Sequence, residues 1–263
     1  MSVKHTIEKL RKERAKPYLE IANDSAKLEI AKKHAEKLVK TKSILKAGNR
    51  KLDKSVLIFN LPDAYTCPGA SLGCLKFCYA KPAKSNNPRA TAIARYARYL
   101  LTLRNDFVDI IVKELKSKRT IKAVRIHESG DFYSTAYFRK WIEIAKQLPH
   151  ITFYAYTKSL FVLTLLEELP DNFVIIYSLD KTNFFLFKKI IEKIECARKN
   201  GKRVGISYVN THEIIDSSNI NAISAHLRVF VCPATLKNKE KIKCGRDCTY
   251  CQRDIECVMF NVH

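Results

Sequence analysis

Short apolar runs separated by segments of helical periodicity constrain this chain more than any other feature. Residues 55–59, 123–127, 151–156, 173–178, 203–209 and 227–231 each have the length and composition of a strand. Between them, apolar residues recur at three- and four-residue spacings. Asn87-Pro88 opens a helix that continues to about residue 118, and further helices are expected over 135–147, 160–169, 183–199 and, briefly, 212–216. Strands alternating with helices specify an α/β fold whose parallel sheet is joined by right-handed crossovers. Six such strands make either an open doubly wound sheet or a partial barrel.

In both architectures the C-terminal strand ends form the functional face. At those ends stand the loop of Cys67, His127-Glu128-Ser129-Gly130-Asp131, Tyr156-Thr157-Lys158, Ser178-Leu179-Asp180, Tyr208-Val209-Asn210 and Cys232. His127 and Glu128 are candidates for acid and base work, although a strand-end histidine serves equally well as a packing residue. Lys158 suits a cofactor carboxylate or a phosphate, or it faces water. Asp180 is placed to hold a ribose hydroxyl, as acidic residues at strand ends do in nucleotide-binding folds. Tyr65, Tyr79, Tyr133, Tyr154, Tyr156 and Trp141 offer stacking surfaces for a base, against the plainer reading that aromatic residues at these spacings fill the core.

The nine cysteines fall into groups. Cys67, Cys74 and Cys78 follow the first strand, with six and three residues between them, and five more lie between Cys232 and Cys257. Three thiolates without a fourth nearby do not close a structural zinc site. A [4Fe–4S] cluster held by three cysteines leaves one iron open for a ligand, so Cys67, Cys74 and Cys78 are candidate cluster ligands. The alternative is a zinc knuckle completed by a distant His or Cys. Cys232, Cys244, Cys248 and Cys251 offer four thiols, which saturate a second [4Fe–4S] cluster or a zinc equally well. Such a second centre would relay an electron, help to hold substrate, or staple the tail. Cys196 and Cys257 read as ordinary thiols.

Forty-eight Lys and Arg against 26 Asp and Glu give a net charge of +22, which favours a polyanionic partner, most simply nucleic acid. A basic drift of the whole proteome is the bland alternative. No apolar run approaches the length of a membrane span, and the charged start does not resemble a signal peptide, so a cytoplasmic protein is expected. In that reducing compartment cysteine clusters bind metal rather than form disulfides. Residues 1–50 read as a basic helical extension, either a solvated cover or a phosphate-gripping arm. Residues 51–231 form the α/β body and residues 232–263 a cysteine-rich tail.

Three cysteines after the first strand, Phe77 before the third, and Ser129-Gly130-Asp131 after the second strand resemble the radical S-adenosylmethionine superfamily. That resemblance implies a partial (β/α)6 TIM-like barrel and a cluster whose open iron chelates the methionine part of S-adenosylmethionine. It implies that Phe77 lies near the adenine and that Ser129, Gly130 and Asp131 meet the methionine amino group. Tyr79, Ser178 and Asp180 complete the expected cofactor site, and His127, Glu128 and Lys158 the expected catalytic groups. The spacing of six and three residues departs from the usual three and two.

GNRKL (48–52), LPDAYTCPGA, CYA (78–80), HESGDFYS (127–134), FYAYTKS (153–159) and CPA followed by CGRDCTYC resemble the phage gene-product-88-like family. The resemblance implies phage origin and residence in a host cytoplasm but carries no assigned reaction. The expectation is an iron–sulfur enzyme acting on nucleic acid or a nucleotide-derived substrate, with an electron-donor protein as a further partner. A metal-stabilised nucleic-acid-binding protein without turnover and an iron–sulfur enzyme that does not use S-adenosylmethionine are the alternatives.

Overall fold

A computed structural model describes residues 2–118, 120–210, 217–233 and 242–261. Four of the anticipated strands, β2 (Val56–Phe59), β3 (Ala123–Ile126), β4 (Thr152–Thr157) and β5 (Phe173–Asp180), pair in parallel in chain order, followed by β6 (Val204–Asn210). The order never reverses along this series, so this part of the sheet is not doubly wound. Two strands were not anticipated. β1 (Lys46–Ala47) adds antiparallel to the β2 edge, and β8 (Cys257–Asn261) inserts between β6 and the outer β7 (Val229–Val231). The tail therefore completes an open eight-stranded sheet of order β1-β2-β3-β4-β5-β6-β8-β7.

The strands are apolar on both faces, as parallel strands buried between two layers must be. Leu57, Phe59, Val124, Ile126, Phe153 and Ile175 pack into the large core shared with the crossover helices. Val56, Ile58, Ala123, Tyr154, Val174 and Ile176 face a second cluster, completed by Cys232, Ile255 and Val258 with Cys244, Tyr250 and Cys251 against it. The crossover helices are α4 (Pro88–Thr102), α5 (Phe107–Lys116), α6 (Thr135–Gln147), α7 (Phe187–Lys199) and α8 (Ser217–Ser224), with a short α3 (Leu72–Phe77) in the cysteine loop.

The expected long helix from Asn87 is two helices. The Asn87 side chain caps the first by accepting from the Ala90 N–H, with Pro88 at the first helical position. After Thr102, whose hydroxyl donates to the Tyr99 carbonyl at 2.5 Å, the chain turns, and Arg104 forms a two-pronged pair with Asp106 before α5 begins. Residues 160–169 form two 3-10 turns, Leu160–Thr164 and Leu166–Glu168, rather than an α-helix. The brief helix expected over 212–216 lies outside the described residues. Among the described residues no helix is long and apolar enough to cross a membrane.

The N-terminal segment folds as α1 (Val3–Asn23) and α2 (Ser25–Lys40), with Asp24 ending one and capping the other. Neither helix is a free arm. Tyr18, Ile21 and Ala31 pack against Ala92 and Tyr96 of α4, while Ile7 and Leu10 pack on the cysteine loop. The clamp is a buried charge cluster. Asp63 accepts from Arg14 Nη2 at 2.5 Å, Tyr18 Oη at 2.7 Å and Arg95 Nη1 at 3.1 Å. Removing one member of a buried ion pair strands the others in low dielectric. Asp63→Ala is therefore expected to cost about 3–5 kcal/mol of unfolding free energy. Urea denaturation checks this, and a loss below about 1 kcal/mol contradicts the clamp.

Candidate metal centre

The loop after β2 is sewn to the loop after β3 before it reaches the first cysteine. Asn60 Oδ1 accepts from the N–H groups of Glu128 and Ser129 at 2.9 and 3.0 Å. Leu61 N–H donates to the Ser129 carbonyl, and the Ser129 hydroxyl returns a bond to the Leu61 carbonyl, both at 2.8 Å. Gly130 sits at φ +84°, where a Cβ would stand 2.5 Å from Leu61 Cβ. Further along, a Cβ on Gly69 would fall 2.0 Å from the Lys158 carbonyl oxygen, so the loop presses on the end of β4 in a way that glycine alone permits.

Ser71 then starts α3. Its oxygen accepts from Cys74 N–H at 3.1 Å and its hydroxyl donates to Asp180 Oδ2 at 2.5 Å, while Gly73 N–H reaches Thr182 Oγ1 at 2.9 Å. Arg14 supports the far side by donating to the Leu75 carbonyl at 2.7 Å. Cys67, Cys74 and Cys78 are all partly buried, and Cys78 acts on the charge of the other two. Burial pushes Cys67 well above the ordinary thiol range, with Asp131, Cys74 and Cys78 adding to it. Burial also pushes Cys74 up to about 12, which Lys158 opposes and Cys78, Asp180 and Asp131 reinforce.

The groups around the trio form one network. Asp131 accepts from the Thr157 hydroxyl at 2.7 Å and from Lys158 N–H at 2.9 Å, yet burial carries its carboxyl up to about 6. Lys158 Nζ donates to Asp180 Oδ2 at 2.9 Å and to the Ser178 carbonyl at 2.8 Å. Burial alone would raise Asp180. Lys158 and the hydroxyls of Ser71 and Thr182 outweigh it and hold this carboxyl below its usual range.

The other predicted residues are placed differently. Phe77 and Tyr79 are 53% and 62% exposed on either side of Cys78. The Tyr79 hydroxyl donates to the Glu128 carbonyl at 2.8 Å. Glu128 is held by the side-chain amides of Asn49 and Asn60. His127 turns toward the helical layer, its ring centroid 4.7 Å from that of Phe132 and its Nε2 2.8 Å from Tyr137 Oη. Burial, assisted by Arg125, drives its pKa down to about 3, so the imidazole is neutral. Ser129 and Gly130 shape the loop. Of the other aromatic residues considered as stacking surfaces, Tyr154 and Trp141 are buried and Tyr65, Tyr133 and Tyr156 are half-buried.

Cys232, Cys244, Cys248 and Cys251 line one small cavity of about 40 Å³ beside the second apolar cluster of the sheet. Arg125, Tyr154, Tyr156 and Phe230 share its wall. Backbone bonds fix the knuckle. Cys244 N–H donates to the Lys51 carbonyl and Asp53 N–H to the Cys244 carbonyl, both at 2.9 Å, and Gly245 at φ +94° donates to the Cys248 carbonyl at 2.8 Å. Burial raises Cys244, with Cys232 and Cys248 adding to it, and raises Cys251 to about 12. None of the nine cysteines forms a disulfide. Among the described residues no group of three or more His, Cys, Asp or Glu side chains is arranged to hold a metal ion. Cys257 is buried in β8, and Cys196 is exposed on α7 rather than packed with its isoleucine neighbours.

A family model described as gene product 88 matches residues 28–257, a span that contains all nine cysteines. The chain belongs to the gene product 88 family. The gene 88 proteins of Mycobacterium phages L5 and D29 are 28% and 27% identical to it over 158 residues, 56% of this chain and 62% of each relative. The match thus spans less than two thirds of those relatives. No solved structure matches the chain significantly.

Sequence reasoning missed several residues that build the site in this gene product 88 family member. Arg125 is a lone cation within the apolar run Ala123-Val124-Arg125-Ile126, and its guanidinium lies 4.7 Å from the Tyr156 ring centroid and 5.9 Å from that of Tyr154. That interruption was the available signal. Asn60, at the end of β2, and the distant pair Arg14 and Asp63 carried no local signal.

His127 also predicts a pH dependence. Its folded pKa, about 3, lies below the ordinary 6.5, so between those values the unfolded chain binds a proton that the native chain refuses. Stability contributed by neutral His127 is lost as pH falls from 6.5 toward 3. His127→Gln removes this term, so its stability relative to wild type should rise by about 1.4 kcal/mol per pH unit below pH 6. Urea denaturation at pH 7 and pH 4.5 measures it, and a constant difference contradicts the assignment.

Proposed function

We propose that this chain is an iron–sulfur enzyme of the radical S-adenosylmethionine type, built on a partial (β/α)6 barrel and acting on nucleic acid or a nucleotide-derived substrate. The observation that carries this reading is the gathering of Cys67, Cys74 and Cys78 beside Asp131, Lys158 and Asp180 at the C-terminal ends of consecutive parallel strands. The donor set suits the group. Thiolates are the ligands of iron–sulfur clusters, and such ligands ring an inorganic core instead of converging on one ion. A bound cation would offset the burial and mutual repulsion that raise Cys67 and Cys74, at the cost of displacing their protons.

When bound, a [4Fe–4S] cluster with S-adenosylmethionine supplies one-electron chemistry. The chain's own residues bind, orient and shield. Cys67, Cys74 and Cys78 hold the cluster. Asp131 and the Lys158–Asp180 pair would offer charges of opposite sign to the amino and carboxylate groups of that cofactor. Ser129 and Gly130 act by shaping the loop, Ser178 by anchoring Lys158 through its carbonyl, and Glu128 by anchoring Tyr79 through its own. Cys232, Cys244, Cys248 and Cys251 hold a second [4Fe–4S] cluster or a zinc. The net charge of +22 supports a polyanionic substrate, and an electron-donor protein is the remaining partner. The mycobacteriophage relatives support a phage-encoded protein working in a host cytoplasm.

A second reading is a metal-stabilised binding module without turnover. It is favoured by the backbone pairing of Cys244 with Cys248, whose tight turn at Gly245 suits a closed structural zinc site. Anaerobic iron, sulfide and zinc analysis of wild type, Cys74→Ser and Cys248→Ser decides between them. The main reading expects about four irons and four sulfides lost with Cys74→Ser, and calorimetric binding of S-adenosylmethionine to wild type that Cys74→Ser abolishes. Zinc in both groups with no iron, or no binding heat on cluster-loaded protein, would sink it.

A further inference from the structure

We propose that the rim around Cys78 is a stacking surface for single-stranded nucleic acid. This rests on the polyanion part of the reading above and adds which surface binds and in what form the strand is presented. Between Asp63 and Asp106 the chain runs 42 residues without an acidic side chain, while carrying seven Lys and Arg. Arg95, Arg98 and Arg104 of these are engaged internally, with Asp63, the Ile44 carbonyl and Asp106. Lys76, Lys84 and Arg89 are exposed.

Among the exposed large hydrophobic residues described, three are aromatic, and two of those, Phe77 and Tyr79, flank Cys78 within this acid-free stretch. Tyr79 is tethered at its hydroxyl to the Glu128 carbonyl, which leaves its ring exposed in a fixed orientation. A ring held this way loses little further entropy when a base stacks on it. Cations that track phosphates, interleaved with aromatic platforms, are the physical recipe for binding single strands. A duplex keeps its bases stacked on one another and presents them to neither ring.

The test uses full-length protein as purified, with iron content measured on the same sample, and fluorescence anisotropy with labelled oligothymidylate, oligouridylate and a duplex of equal length. Both single strands are expected to bind more tightly than the duplex. Phe77→Ala and Tyr79→Ala should each weaken strand binding by about 5- to 150-fold, the range spanned by loss of one stacked base, with duplex affinity unchanged. Tyr79→Phe keeps the ring and frees its tether, so it should weaken binding less than Tyr79→Ala. The triple variant Lys76→Gln, Lys84→Gln, Arg89→Gln should flatten the slope of log Kd against log salt for single strands by about 2.

Equal affinity for strand and duplex overturns the proposal, as does strand binding unaffected in both alanine variants. Strand preference in protein that carries no iron leaves this surface standing while the cofactor reading falls. Iron-loaded protein that binds S-adenosylmethionine but shows no strand preference sinks this surface and leaves the cofactor reading intact.

Discussion

A strand covered on both faces has room for a polar side chain at its ends and almost nowhere else. β2 through β5 meet that condition, so Asn60, Asp131, Lys158 and Asp180 collect along one rim of the sheet. Each is then obliged to find partners, because a buried polar group left unpaired costs more than its bond contributes. Asp180 takes Lys158, Ser71 and Thr182, while Asp131 takes Thr157 and the backbone of Lys158. The cysteine loop hangs from these bonds, so thiol placement follows from satisfying the strand ends.

Arg125 breaks the pattern in the middle of β3. It points into the inner cluster, stacked on Tyr156, and its charge acts on Tyr79 toward the rim and on Cys244 and Cys251 across the cavity. A guanidinium there favours the anionic form of thiols that burial otherwise holds protonated. The tail and the cysteine loop, far apart in the chain, thus face the same buried cation.

Much of the α/β body was legible. The runs at 123–127, 151–156 and 173–178 were read as strands, because buried parallel strands are continuous apolar segments. β8 was not, since Cys257–Asn261 lies in a segment whose cysteines drew the reading toward ligation instead of pairing. The helix break at Leu103 was hidden because helical spacing continues across it, and the turns at 160–169 carry the same spacing without enough length to form an α-helix. In the site, the cysteine groups were legible from spacing. That His127 would face the helices was not, because a strand-end side chain has no period to reveal its face, and that Phe77 and Tyr79 would stay exposed was not, because one short turn of helix and a loop are too brief to show a period.

The sequence by itself determined the parallel alternation, the two clusters of thiols and the strong positive charge, since these depend on local spacing and composition. The tertiary structure decided which of these parts meet: Arg14 and Asp63 across 49 residues, Ser71 and Asp180 across 109, and β8 between β6 and β7. Local pattern fixes which face of an element is apolar. Which distant partner covers that face depends on how the whole chain closes, and no short window of residues carries that information.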